Sequence, residues 1–219
     1  MTSNYLQASK EKTKMKLKKI NLNLQKGLIE SGLTEANEIQ EDTFSTIKSG
    51  ADCMIIAPEG SGKTSTIVIN VLQQLVAEEE ESPRALILVE DKAKVLAMEE
   101  MFDQLGQYNK LQVYGVHEKG DMEYDKNYIS TGIDVLVGTP EKLAQMFSTA
   151  GFNVNRLKMF IVDDADTLLK LRHETKMMRI SNSIVKTQRI IFTDKYTERV
   201  EVFADKLLLE PEVFDYTEE

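Results

Sequence analysis

The sequence predicts a doubly wound α/β fold, in which one parallel sheet carries helices on both faces. Short apolar runs rich in Ile, Val and Leu alternate along the chain with longer segments whose apolar residues recur at helical spacing. The short runs are apolar at consecutive positions, as expected for strands that are covered on both sides. The 219 residues include four prolines and eleven glycines without a rich linker, and this favours a single domain over residues 15–219.

The individual elements follow from this alternation in chain order. Residues 15–31 have apolar positions at helical spacing up to Gly32 and predict a leading helix. The predicted strands are residues 53–57, 85–89, 111–114, 134–137, 159–162 and 189–193. The predicted crossover helices are residues 63–78, 92–105, 140–147, 172–186 and 196–208. Residues 115–132 have the weakest pattern and predict a surface loop with a turn or a short helix.

The first predicted strand leads directly into a loop that is typical of phosphate binding. The loop reads Ala57, Pro58, Glu59, Gly60, Ser61, Gly62, Lys63 and Thr64. Glycines let backbone N–H groups approach phosphate oxygens, and the helix that follows adds the partial positive charge of its N-terminus. We therefore expect Lys63 to reach the β- and γ-phosphates of a nucleotide, and the Thr64 hydroxyl to bind Mg²⁺. The usual pattern begins with Gly rather than Ala57, and the alternative is a structural loop with a coincidental Gly-Lys-Thr.

An acidic cluster supports the same interpretation. The strand predicted at residues 159–162 ends in Asp163, Asp164, Ala165 and Asp166. A carboxylate at the carboxyl end of a parallel strand can face Mg²⁺, and a neighbouring acid can orient an attacking water. Alone, such a cluster would more often cap a helix. Beside the glycine loop it predicts Asp163 as a metal ligand with Thr64, and a catalytic set of Lys63, Asp163 and Asp164.

These residues resemble the first RecA-like domain of a DEAD-box RNA helicase, and the resemblance runs from about residue 15 over nearly the whole chain. Residues 31–40 are similar to the family's adenine-recognising segment, and Gln40 stands at the position of its defining glutamine. Residues 138–142 resemble its Gly-Thr-Pro-Gly-Arg RNA-contact segment, and residues 163–166 its namesake tetrapeptide.

The resemblance implies a RecA-like P-loop NTPase fold with ATP and Mg²⁺ as cofactors. It implies that Gln40 contacts the adenine and that Lys92, Thr139 and Lys142 make weak contacts with single-stranded RNA. It also implies that residues 210–212 lead into a linker to a second RecA-like domain.

The motifs are degenerate at several positions. Asp164 replaces the family's glutamate and is one methylene shorter, and a displacement of about an ångström costs on the order of 10²-fold in rate. Residues 90–94 read Glu-Asp-Lys-Ala-Lys where the family has Pro-Thr-Arg-Glu-Leu, and the two acids repel an RNA backbone. Glu141 replaces a glycine, and residues 193–195 read Thr-Asp-Lys instead of Ser-Ala-Thr. We therefore expect weakened coupling between ATP and RNA.

The second RecA-like domain supplies the family's arginine fingers, and none of the six arginines of this chain lies in such a motif. An absent finger typically slows phosphoryl transfer by about 10³ to 10⁵. We expect either a fragment of a longer protein or a free-standing degenerate domain, with weak or absent ATPase activity alone.

Composition and charge exclude several classes of protein. One cysteine cannot form a disulfide framework, and a net charge of −9 argues against a surface that binds nucleic acid throughout. The longest apolar stretches, residues 53–57 and 85–89, are far shorter than the roughly 20 residues that cross a bilayer. We expect a cytoplasmic protein without membrane contact. Residues 1–14 are expected to form a basic N-terminal arm. The lysine-rich block over residues 10–19 carries about +5, and it is either an exposed or frayed helix face or an RNA or membrane contact.

Three functional hypotheses remain open from the sequence. The first is an ATP- and Mg²⁺-binding RNA helicase domain of the DEAD-box type, with RNA and a second lobe or protein as partners. The second is a nucleotide-responsive module that binds protein or RNA and has lost helicase activity. The third is an unrelated P-loop ATPase.

Overall fold

The strands and helices of this computed structural model follow the predicted alternation. The structure describes residues 20–79, 82–149 and 153–217. The strands are β1 (Cys53–Ile56), β2 (Ala85–Leu88), β3 (Val113–Val116), β4 (Val135–Gly138), β5 (Met159–Val162), β6 (Gln188–Thr193) and β7 (Glu212–Asp215). The helices are α1 (Leu22–Glu30), α2 (Glu38–Ser49), α3 (Lys63–Leu75), α4 (Lys92–Leu105), α5 (Met122–Ser130), α6 (Pro140–Ser148), α7 (Ala165–Lys170), α8 (Glu174–Asn182) and α9 (Glu198–Leu207). None of these helices is long and apolar enough to cross a lipid bilayer.

The strands form one parallel sheet in the order β3-β4-β2-β5-β6-β1-β7. Strand β1 pairs with β6 on one side, so that Ile56 lies opposite Thr193. Strand β5 pairs with both β2 and β6, so that Val162 lies opposite Leu88 and Ile191. The carboxyl ends of these four strands therefore meet at one edge of the sheet, where doubly wound folds bind their ligands.

Each central strand contributes alternate residues to two separate cores. On β1, Ile55 packs beneath α1, α2, α3 and α4, while Ile56 faces the opposite side with α5 to α9. The same alternation places Phe192 in the first core and Phe160 in the second. Full burial of such side chains contributes about 1.5–3 kcal/mol each, which holds the strand ends in register. The predicted fold with helices on both faces is confirmed.

The structure corrects several predicted boundaries. The third strand begins at Val113 instead of residue 111. The Gln112 N–H donates to the Asp134 side chain instead of a strand carbonyl, and the Gln112 carbonyl accepts from the N–H groups of Asp134 and Val135 just before the β3–β4 pairing begins. Helix α2 was not predicted as a helix, and an Asn37 capping box begins it. Within residues 115–132, where a surface loop with a turn or a short helix was expected, the structure has the short helix, the nine-residue α5. The basic arm and the start of the leading helix lie outside the described residues.

The largest correction concerns the segment expected to lead into a linker. Residues 212–215 form the edge strand β7, which pairs in parallel with β1. The Glu212 N–H donates to Asp52 O at 3.0 Å, and the Tyr216 N–H donates to Ile56 O at 2.8 Å. Only Phe214 of this strand is partly buried, so the local sequence lacks the apolar run by which the other strands were found.

A buried ion pair anchors the opposite, amino-terminal edge of the sheet. Arg84 is 1% exposed, and its guanidinium is paired with the equally buried carboxylate of Asp134. Asp134 also accepts from the N–H groups of Glu79 and Gln112, at 3.0 and 2.9 Å. The pair therefore joins the segment before β2, the start of β3 and the start of β4.

We expect Asp134→Ala to destabilise the domain by about 3 kcal/mol, because it leaves a buried guanidinium with reduced compensation. For a chain of this size the melting temperature should fall by about 6–12 °C. The control Glu79→Ala removes a half-exposed partner of Arg84 and should cost less than about 1 kcal/mol. Equal losses in thermal unfolding of the two variants would contradict this account.

Candidate nucleotide-binding site

The loop after β1 has the backbone conformation of a phosphate cradle. Gly60 and Gly62 adopt φ values of 78° and 96°, a backbone region that residues with a Cβ avoid. A Cβ at Gly62 would also lie 2.4 Å from the Asn37 side-chain nitrogen, which donates to Ser61 O at 2.9 Å. Gly62 caps α3 without a side chain, so the N–H groups at the start of this helix remain directed toward the loop.

Lys63 is folded back beneath this loop. Its side chain is 7% exposed, and its ammonium donates to Ala57 O at 3.0 Å. The ammonium also donates to the Asp194 carboxylate, which follows β6, and lies 3.6 Å from Asp164 Oδ1, which follows β5. The buried charge is therefore compensated by groups from the carboxyl ends of three strands.

Gln40 lies beside the loop helix. Its carbonyl accepts from Asn37 N–H at 3.1 Å in the capping box of α2, and its amide donates to Ser65 Oγ at 3.0 Å. Ser65 Oγ in turn donates to Gly62 O at 2.9 Å. Gln40 thus connects α2 to the loop, and its predicted contact with adenine stays a prediction.

The acids after β5 lie opposite Lys63. Asp163 is 2% exposed, and its Oδ1 has no hydrogen-bond partner among the described residues. Burial, and then the charge of Asp164, raise the pKa of Asp163 above its ordinary value. Asp164 has a left-handed backbone with φ of 50°, and its Oδ2 accepts from Lys94 Nζ at 3.0 Å.

The last acid of the tetrapeptide connects β5 to β6. Asp166 Oδ1 accepts from Thr193 Oγ1 at 3.1 Å and from the Asp194 N–H at 3.3 Å, and its Oδ2 accepts from Lys170 at 2.8 Å. Burial acts to raise the pKa of Asp166, but these hydrogen bonds outweigh it and lower the pKa. Asp166 therefore fixes the position of Asp194 next to Lys63.

A cavity of about 340 Å³ opens between the loop and the acids. The predicted site residues that line it are Glu59, Gly60, Gly62, Lys63, Thr64, Asp163 and Asp164. Of the other predicted loop residues, Pro58 contributes a carbonyl 3.4 Å from Lys63 Nζ, and Ser61 accepts from Asn37 through its own carbonyl. Most of the predicted nucleotide and metal residues thus surround one space.

Lys94 and Asp194 also line the cavity, and sequence reasoning did not assign them to this site. Both lie in segments where the chain departs from the helicase motifs, and the sequence alone relates these departures to RNA binding and to its coupling with ATP. The pairing of Lys94 with Asp164 and of Asp194 with Lys63 joins residues 70 and 131 positions apart, which no local pattern reports.

The three predicted RNA contacts differ in their exposure to solvent. Lys92 is exposed at the N-terminus of α4, and Thr139 is buried at the start of α6. Lys142 is 2% exposed, lies 2.7 Å from Asp125 Oδ2 and donates to Gly120 O at 2.7 Å. The ammonium of Lys142 is therefore engaged in the interior and is not available at the surface of this structure.

The parallel strand order, the glycine loop after β1 and the acids after β5 together define a RecA-like P-loop domain. The chain belongs to the DEAD/DEAH box helicase family, since the family model of that description matches residues 37–194.

Individual relatives agree with this assignment. The chain is 28% identical over 169 residues to the ATP-dependent RNA helicase eIF4A of Debaryomyces hansenii, and this alignment covers 77% of this chain and 42% of the relative. It is 28% identical over 197 residues to the ATP-dependent RNA helicase DBP4 of Lodderomyces elongisporus, where the alignment covers 88% of this chain and 25% of the relative. A crystal structure of a DEAD box protein from the hyperthermophile Methanococcus jannaschii superposes with a TM-score of 0.84 at 17% identity, over 90% of this chain and 54% of that one. The chain spans less than half the length of these two curated relatives.

The raised pKa of Asp163 predicts a characteristic dependence of stability on pH. The folded state holds this proton more tightly than the unfolded state, so stability falls as pH rises from the ordinary value of 3.8 through the raised folded value. Asp163→Asn removes the titration, and the variant should become more stable than the native chain above that window and lose the advantage near its lower limit. Thermal unfolding across the window, without metal or nucleotide, measures the difference. A difference independent of pH would contradict the prediction.

Proposed function

We propose that this domain binds ATP with Mg²⁺ and forms the first lobe of a DEAD-box RNA helicase that remodels RNA together with a second RecA-like lobe. One observation carries the proposal. Lys63, whose ammonium is buried, and Asp163, whose buried Oδ1 has no hydrogen-bond partner among the residues that the structure describes, line one cavity at the carboxyl edge of the sheet. A cation and a metal-binding carboxylate beside a glycine loop are the groups that a nucleoside triphosphate and its metal require.

The loop supports triphosphate binding through backbone and side chain together. The N–H groups at the start of α3 and the helix dipole favour phosphate oxygens at Gly60 and Gly62. Lys63 then supplies a charge-assisted contact to the β- and γ-phosphates. In the structure this ammonium bonds to Asp194 and to loop carbonyls, and phosphate binding exchanges part of these contacts.

The residues present fit Mg²⁺. Asp163 Oδ1 is a buried carboxylate oxygen without a hydrogen-bond partner in the described ranges, and Thr64 lines the same cavity. Mg²⁺ is usually held by one or two protein oxygens, with substrate phosphates and waters as its other ligands. Asp163 and Thr64 would hold the ion, which supplies neutralisation of charge on the phosphates when bound.

Asp164 is the residue best placed to orient an attacking water. It is shorter than the family's glutamate, and its two oxygens lie near Lys63 and Lys94. Because the catalysis of phosphoryl transfer depends mainly on alignment and electrostatics, the shorter carboxylate and the missing arginine fingers predict slow hydrolysis by this domain alone.

We expect saturating Mg-ATP to raise the melting temperature of the native chain by linkage. At about one hundred times Kd the stabilisation is about 2.7 kcal/mol, or roughly 5–10 °C for a domain of this size. Lys63→Ala should remove the shift, because it deletes the buried cation of the loop. The matched control Lys158→Ala removes an exposed lysine at the opposite edge of the sheet and should keep the shift. A native chain without any shift at millimolar nucleotide would refute ATP binding.

A second candidate function is a nucleotide-responsive binding module without helicase activity. The observation in its favour is the interior position of Lys142, whose ammonium forms an ion pair with Asp125. Glu90 and Asp91 beside the exposed Lys92 further reduce the attraction for an RNA backbone.

RNA binding separates the two candidates. As a helicase lobe, the chain joined to a second RecA-like domain should bind single-stranded RNA with an affinity that falls as salt increases, and RNA should stimulate its hydrolysis of ATP. Lys92→Ala should weaken binding and lower the salt slope by about one, since it removes one phosphate contact. Lys142→Ala should instead lower the melting temperature, because it leaves the buried Asp125 carboxylate without its ion-pair partner. Absence of RNA binding at low salt would favour the binding module.

A further inference from the structure

The candidate nucleotide cavity contains a second ammonium group besides that of Lys63. Lys94 lines the cavity from α4, and its side chain is 41% exposed. Its Nζ lies 3.0 Å from Asp164 Oδ2, while Lys63 Nζ lies 3.6 Å from Asp164 Oδ1. The two ammonium groups therefore approach the two oxygens of one carboxylate, and both lie beside the same space.

The fold fixes Lys94 in this position. Strand β2 lies next to β5 in the sheet, and α4 begins four residues after β2 ends. The Asp91 side chain caps α4 by accepting from the Lys94 N–H at 2.9 Å. Val95 and Met98 of α4 are buried in the first core, which sets the rotation of the helix. Lys94 is thereby directed toward the acids after β5.

The surroundings keep Lys94 charged. Burial acts to lower the pKa of Lys94, but the hydrogen bond and charge of Asp164, with further contributions from Asp163 and Glu59, raise it. The positive charge is therefore present at neutral pH.

The balance of charge in the cavity explains why a second cation matters. Lys63 lines the cavity together with five acidic residues, Glu59, Glu90, Asp163, Asp164 and Asp194. Lys63 is already bonded to Asp194, so it alone does not offset the acids for an additional phosphate. A terminal phosphate would meet the Asp164 carboxylate unless another cation compensated it.

We propose that Lys94 contacts the terminal phosphate of bound ATP and makes the pocket prefer a nucleoside triphosphate to a diphosphate. The inference rests on the proposed function, because Lys63 must first bring the phosphates into the cavity. Lys94 reaches the cavity from the side of Asp164, the acid assigned to the attacking water. A cation there acts on the third phosphate and has little effect on the first two. The simpler alternative is that Lys94 only neutralises Asp164, and it predicts no difference between the two nucleotides.

The test compares a triphosphate with a diphosphate. Calorimetry measures the Kd of two ligands, the Mg²⁺ complex of an unhydrolysable ATP analogue and Mg-ADP. Each is measured with the native chain, Lys94→Gln, Lys94→Arg and the control Lys158→Ala. Lys94→Gln should weaken the ATP analogue about tenfold, the lower range for a charge-assisted hydrogen bond at a partly exposed site. The Kd of Lys94→Gln for ADP should change less than about twofold. Lys94→Arg should restore most of the preference for the ATP analogue over ADP, because it keeps the positive charge. Lys158→Ala should match the native chain.

Two results would overturn the inference while leaving ATP binding intact. One is an equal loss of affinity for both nucleotides in Lys94→Gln, which would assign Lys94 to the support of Asp164. The other is an unchanged affinity for both. A native chain that binds neither nucleotide would instead overturn the proposed function and the inference with it. The melting temperature of each variant without nucleotide establishes that it is folded. If Lys94→Gln is not folded, Lys94→Met, which retains the apolar stem, takes its place.

Discussion

The arrangement of the site depends on the burial of one positive charge. An ammonium removed from water is stable only when it is paired and hydrogen-bonded, and Lys63 obtains its partners from the carboxyl ends of β1, β5 and β6. These three strands are adjacent in the sheet, and their parallel register places Ala57, Asp164 and Asp194 at the same edge. The requirement to compensate Lys63 therefore joins the glycine loop to both acidic segments before any ligand enters.

The two edges of the sheet satisfy their buried charges to different degrees. At the amino-terminal edge, Asp134 and Arg84 bond to each other and to backbone groups, as expected for a structural pair. At the carboxyl edge, Asp163 is just as deeply buried, yet its Oδ1 has no partner in the described part of the chain. A buried carboxylate that has a raised pKa and one oxygen without a partner is costly to the fold and is typical of sites that bind a ligand.

Two departures from the family motifs have the same physical outcome in this structure. Two of the charges that replace neutral family residues form ion pairs inside the site, since Lys94 pairs with Asp164 and Asp194 pairs with Lys63. The retained cation Lys142 is likewise satisfied internally, by Asp125. The nucleotide side of the domain thus gains charge, while the predicted RNA side has Lys92 as its exposed cation among the three proposed contacts.

The sequence by itself determined the features whose causes are local. Apolar runs located six strands, with β3 displaced by two residues, and the glycine loop with its following helix located the phosphate cradle, because strand burial and loop conformation are encoded by neighbouring residues. Only the tertiary structure decided that β7 joins the sheet, that Lys142 is buried and that Lys94 and Asp194 enter the site. The physical reason is that pairing of edge strands and compensation of charges act between residues far apart in sequence, so their outcome depends on which strand ends the sheet brings together.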